Sequence, residues 1–133
     1  MRFLTVVRGF SEIALKDFKV GSKVFATRKI TRKDLEDFAR ISGDFNTVHM
    51  NEGVVHGAFL NSIVSGVIGT KLPGPGCLVV QQTLNFPKKC FINEEIKVTV
   101  ELEEIRKIWK VSFNCKVEDK TVLFGDAKLV FIK

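Results

Sequence analysis

The apolar positions of the chain change period once. Between Thr31 and Gly43, Leu35, Phe38, Ala39 and Ile41 recur at helical spacing, and the Thr31 hydroxyl stands three residues before the Asp34 carboxylate as in a capping box. Gly43 supplies the stop, so a short amphipathic helix is predicted there. From Gly57 to Leu72 the apolar residues Phe59, Leu60, Ile63, Val64, Val67 and Ile68 run nearly round a second helix, interleaved with small Ala58, Ser62, Ser65, Gly66 and Gly69. Such a helix is expected to be enclosed, its small residues admitting other backbone at close range. Pro73-Gly74-Pro75-Gly76 ends it.

Beyond that punctuation the pattern alternates, which predicts strands at Cys77–Phe86, Glu95–Ile105, Ile108–Val117 and Thr121–Ile132. Ile96, Val98, Val100 and Leu102 face one way while Lys97, Thr99 and Glu101 face the other, and Trp109, Val111, Phe113, Cys115 and Val117 repeat the theme. Turns are signalled by Pro87-Lys88-Lys89 and by Glu118-Asp119-Lys120, the second closing a hairpin. One buried helix followed by at least four long antiparallel strands makes the fold class α+β, a sheet wrapped around a central helix.

With 133 residues there is material for one core and not for two. Hydrophobic residues at 45% and charged residues at 27% exclude disordered, collagen-like and coiled-coil classes. Three separated cysteines, Cys77, Cys90 and Cys115, each with apolar neighbours and with no Cys-x-x-Cys pair, read as reduced, buried thiols of a reducing compartment or a mitochondrial matrix. The apolar run around Val54 to Thr70 is broken by His56, Asn61, serines and glycines, so no membrane span is expected.

The formal charge of +6 suggests nucleic acid until it is located. Residues 1–33 carry nine Lys and Arg against Glu12 and Asp17, a local +7 that leaves the remainder at −1. A basic N-terminal quarter attached to a near-neutral domain argues against a nucleic-acid footprint. Met1 to Ala14 has the composition of a mitochondrial targeting remnant and equally of an ordinary first strand. Lys23, Arg28, Lys29, Arg32 and Lys33 are candidates to meet an anionic ligand or an acidic partner.

Both histidines of the chain fall in one stretch, His49 and His56, five and twelve residues after Asp44. Asn46 and Thr47 read as loop. A carboxylate beside an imidazole can fix its tautomer, and the pair can hold and activate one water; a surface Asp and an ordinary loop His fit the same spacing. His56 is expected to pack or to bond backbone rather than to bind a ligand. At Gly57 the helix N-terminus offers free amides and a favourable dipole for a carbonyl oxygen gaining negative charge, though glycine there also suits tight packing. No third ligand stands at a recognisable spacing, so no metal and no cofactor are expected.

Ser42-Gly43-Asp44 with His49, then Val55-His56-Gly57 opening a helix that ends in Leu72-Pro73-Gly74-Pro75-Gly76, resembles the MaoC-like, (R)-specific enoyl-thioester hydratase family, and in particular its mitochondrial 3-hydroxyacyl-thioester dehydratase branch. The resemblance runs from about Phe18 to the C-terminus. It implies a single hot-dog domain over residues 17–133, preceded by a targeting remnant or extension over 1–16, and assembly as a homodimer. It assigns catalysis to Asp44 and His49, the thioester carbonyl to the Gly57 amide, and supporting roles to Ser65 and Asn46; on residues alone Ser65 is a small helix-packing position. The implied substrate is an acyl thioester of acyl carrier protein or coenzyme A, in fatty acid synthesis in the mitochondrial matrix. A non-catalytic acyl-thioester-binding domain and a hot-dog thioesterase are the alternatives.

Two departures from the family pattern stand out. Asn46 is followed by Thr47 where proline is usual. Only Met50 to Val55 separate His49 from His56, where the family carries a longer, partly helical overhang. Seven Cα steps reach at most roughly 25 Å, so the connection closes, but the acyl tunnel is expected to be more open and the catalytic geometry less supported.

Overall fold

The computed structural model describes residues 18–132, so the segment expected to be a targeting remnant or extension lies outside the described residues. Its elements are β1 (Lys23–Lys29), α1 (Arg32–Ser42), α2 (Thr47–Met50), α3 (Gly57–Thr70), β2 (Cys77–Asn85), β3 (Glu95–Glu104), β4 (Trp109–Val117) and β5 (Lys120–Phe131). The strands form one antiparallel sheet in the order β1-β3-β4-β5-β2.

Alternation decides which side of this sheet is wet. Ile96, Val98, Val100 and Leu102 of β3 and Val111, Phe113 and Cys115 of β4 are buried, while Lys97 and Lys116 on the opposite face are exposed. The buried face receives α3 through Leu60, Val64, Val67 and Ile68, each at most 2% exposed. Burying each such side chain contributes about 1.5–3 kcal/mol, which is why a sequence with polar and glycine interruptions still holds as a helix. The result is the hot-dog arrangement, a sheet curled around one long helix.

Three differences from the sequence reading have physical causes. Strand β1 went unrecognised because Ala26 is its one fully buried residue and Lys23, Arg28 and Lys29 are exposed, as suits a sheet edge. Residues 47–50 are not loop but the short helix α2, capped by the Asn46 side chain. The enclosure expected for α3 is incomplete, since Ala58, Ser62, Ser65 and Gly66 lie exposed on the side the sheet does not reach. The other edge, β2, shifts register between Val79 and Gln81 and leaves Leu78, Val80 and Leu84 exposed.

Candidate active site

The site is assembled by two sharp chain reversals. Helix α1 begins with a complete Thr31–Asp34 capping box and ends at Gly43, whose φ of 77° is the left-handed conformation that lets its N–H reach the Ala39 carbonyl. The chain then enters an Asx turn, with Asn46 N–H donating to Asp44 Oδ1 at 3.2 Å and Val48 N–H donating to Asn46 Oδ1 at 3.2 Å. These local bonds orient the Asp44 carboxylate and start α2. Asn46 is thus a structural cap of this turn. Arg32 clamps α1 to α2 by donating from Nη1 to the Met50 carbonyl at 2.9 Å.

Gly53, at φ 71°, reverses the chain again, and Val55 N–H donates to the Cys90 carbonyl at 2.7 Å. That reversal aims the Val54 carbonyl at His49, whose Nδ1 lies 2.7 Å from it. A carbonyl only accepts, so Nδ1 carries a proton and Nε2 is the ring nitrogen turned toward Asp44. Nε2 stands 3.6 Å from Asp44 Oδ2. The separation is too long for a direct hydrogen bond and short enough for both atoms to contact one water. The His49 side chain is 12% exposed and that of Asp44 49%, so the imidazole is largely enclosed and the carboxylate is half in solvent.

His56 completes the cluster by a different route. It is 1% exposed, donates from Nε2 to the Asp44 backbone carbonyl at 3.0 Å, and stacks on the His49 ring with centroids 3.8 Å apart. Phe38 packs against it in a tilted arrangement, centroids 4.9 Å apart, and in turn stacks on Phe59. His56 therefore positions both Asp44 and His49, in line with the expected backbone-bonding role. Ligating atoms of Asp44, His49 and His56 lie within 4.8 Å of one another, a third candidate ligand the spacing had not suggested. His56 Nδ1 is buried without a hydrogen-bond partner among the described residues.

Gly57 is the first residue of α3, with His56 as N-cap. The His56 carbonyl takes the N–H groups of Phe59 and Leu60, and those of Gly57 and Ala58 are left as free helix N-terminal donors among the described residues. Gly57 and His49 line the same cavity of about 340 Å³, whose walls include Leu60, Phe86, Val122 and the Lys88–Lys89 turn. The Phe86 ring presses on Gly57 so closely that a Cβ there would come within 2.9 Å of it. Ser65 is not part of this cluster: it is exposed on α3, about 12 Å along the axis from Gly57 at 1.5 Å per residue. The shortened link does not scatter the pair, because it turns back at Gly53 instead of spanning a gap. Phe86, Lys88 and Lys89 escaped the sequence reading, since a strand end and a basic turn carry no periodic signal.

Residues 17–122 match the family model described as MaoC like domain. The chain belongs to that family. Among its relatives, 3-hydroxybutyryl-CoA dehydratase of Methylorubrum extorquens is 34% identical over 125 positions, covering 84% of this chain and 80% of the relative. The mitochondrial 3-hydroxyacyl-[acyl-carrier-protein] dehydratase of Arabidopsis thaliana is 30% identical over 147 positions, covering 97% and 87%. The crystal structure of an (R)-hydratase from A. caviae involved in PHA biosynthesis superposes with a TM-score of 0.83 at 25% identity, covering 88% of this chain and 99% of that one.

Proposed function

We propose that the protein is a (3R)-hydroxyacyl-thioester dehydratase, equally a trans-2-enoyl-thioester hydratase, acting on thioesters of acyl carrier protein or coenzyme A. The observation that carries this reading is the Asp44 carboxylate 3.6 Å from His49 Nε2, with Nδ1 committed to Val54 and His49 itself lining one cavity with the Gly57 helix terminus. Dehydration needs a base for the α-proton, an acid for the departing β-hydroxyl and a donor for the enolate-like oxygen. Asp44 and His49 provide the first two and the Gly57 amide the third.

In the hydration direction a water held between Asp44 Oδ2 and His49 Nε2 loses a proton to one of them while its oxygen bonds to C3. The pair enters this step with one proton on Asp44 Oδ2 or His49 Nε2; the C2–C3 π electrons pass to the thioester oxygen, where the Gly57 N–H stabilises the charge, C2 then takes that proton, and the proton lost by the water leaves the pair with one again. The relatives named above, a CoA-thioester dehydratase and a mitochondrial carrier-protein dehydratase, support the same substrate class, and the second supports a mitochondrial location, where the proposed role is in fatty acid synthesis.

The exposed small-residue face of α3 and the unpaired β2 edge, with Leu78, Val80 and Leu84 outward, support a homodimer. Ser65 lies on that face, so a supporting role belongs with the second copy in place. Water addition to crotonyl-CoA, followed by loss of enoyl absorbance, tests the activity. Turnover is expected in the wild type and not in Asp44→Asn with His49→Gln. Normal turnover in that double variant refutes the mechanism, thioester binding without turnover establishes the non-catalytic alternative, and free thiol release establishes the thioesterase.

A further inference from the structure

We propose that Lys88 and Lys89 anchor the phosphate of a 4′-phosphopantetheine arm, the group common to coenzyme A and to loaded carrier proteins; this rests on the thioester reading above. Both lysines line the cavity that holds His49 and Gly57, and the rest of its wall contains no acidic side chain. The Val55–Cys90 hydrogen bond at 2.7 Å ties this turn to the His49–His56 link, and the Phe86 ring ties it to Gly57. Pro87 restricts φ immediately before the pair. Among the described residues neither lysine has an ion-pair partner.

None of the basic residues that the sequence suggested for this role lines the cavity, and three of them are committed elsewhere. Lys23 pairs with Glu101 at 3.4 Å, Lys33 with Asp37 at 3.2 Å, and Arg32 holds the Met50 carbonyl. Two adjacent cations without counter-charge repel each other mildly, and an anion placed between them relieves that repulsion. A ligand whose carbonyl sits at Gly57 and whose arm leaves the cavity past Phe86 runs out along this turn, where Lys88 follows Phe86 by two Cα steps, at most about 7.6 Å, and the long lysine side chains reach farther along the arm toward its anionic end. Phosphate is the anion that a pantetheine arm carries at that end, and lysine serves it as a point charge.

The test compares wild type with Lys88→Gln, Lys89→Gln on crotonyl-CoA, crotonyl-phosphopantetheine, crotonyl-pantetheine without phosphate, and a crotonyl-loaded acyl carrier protein. The double variant is expected to raise KM about tenfold on the three phosphate-bearing substrates, keep kcat within about twofold, and leave crotonyl-pantetheine unchanged. An equal rise with crotonyl-pantetheine, or no rise with any substrate, overturns the proposal. A loss confined to crotonyl-CoA assigns the lysines to the nucleotide phosphates, and one confined to the loaded carrier assigns them to the carrier surface; either overturns it. Should wild type turn over none of the four, the activity reading fails, and calorimetric titration with phosphopantetheine and pantetheine then decides the lysines. Wild-type binding of the phosphate form that the variant weakens about tenfold supports the anchor; equal affinities overturn it.

Discussion

Replacing Gly57 by alanine separates the chemistry of the helix terminus from its packing. A Cβ at Gly57 would lie 2.9, 3.0 and 3.2 Å from Cε1, Cζ and Cδ1 of Phe86, closer than van der Waals contact allows. Phe86 is 48% exposed and the clash is with the far end of its side chain, so the ring swings outward and surrenders about 1 kcal/mol of its half-burial. Alanine at the start of a helix returns up to about 1 kcal/mol over glycine. Net stability is therefore expected to change by less than about 1 kcal/mol in urea unfolding. Activity is expected to behave otherwise, because the new methyl sits beside the amide proposed to hold the carbonyl. Displacement of a bound substrate by an ångström costs on the order of 100-fold, so kcat/KM for crotonyl-CoA hydration should fall about that much. Full activity with unchanged KM in a stably folded Gly57→Ala protein would refute the assignment of the carbonyl site.

The same substitution at Gly125 should do the reverse. A Cβ there would overlap the Thr83 carbonyl oxygen and lie 3.3 Å from Phe113 Cε1, and backbone cannot swing away; parting β2 from β5 should cost on the order of 3 kcal/mol, read as a lowered urea midpoint. His56→Leu removes the donor to the Asp44 carbonyl and the partner of the His49 ring, so crotonyl-CoA hydration should fall at least tenfold in kcat with a smaller change in KM, while retained kcat would count against a positioning role. Burial pushes the Cys90 thiol up to about 11 and that of Cys115 up to about 12, from 9.0. The unfolded chain then releases these protons first, so stability should fall as pH rises above 9, by about 1 kcal/mol for each cysteine between pH 8 and pH 10, and Cys115→Ala should flatten that slope. Thr31→Ala removes the acceptor for Asp34 N–H at 3.1 Å and should cost about 1 kcal/mol of stability in the same assay without altering kcat.

Local rules made a large part of this protein legible. The capping box at Thr31, the stop at Gly43, the helix opening at Gly57 and the alternation of β3, β4 and β5 are set by residues within a few positions of one another, and the structure has them within two residues of the predicted limits. Asp44, His49 and Gly57 were legible as candidates because both histidines of the chain cluster with an Asp before a helix and match the family motif, although spacing alone fitted a surface Asp, a loop His and a packing glycine as well. Their arrangement was not legible. The tautomer of His49 depends on the Val54 carbonyl, which arrives through the reversal at Gly53, and the Asp44 carbonyl is held by a His56 ring twelve residues away.

Strand β1 escaped because a sheet edge needs little apolar signal, and α2 because one turn held by an Asn46 cap has no period to detect. Phe86 and the Lys88–Lys89 turn enter the site only because β2 runs along the sheet edge and returns its end to the start of α3. The sequence by itself determined the period, the caps and the charged or reactive residue types, since these act over one turn or one strand pair. Only the tertiary structure decided which carbonyl meets which imidazole nitrogen, which lysines face the cavity and which side of α3 stays open, because those outcomes depend on where distant segments come to rest on the sheet.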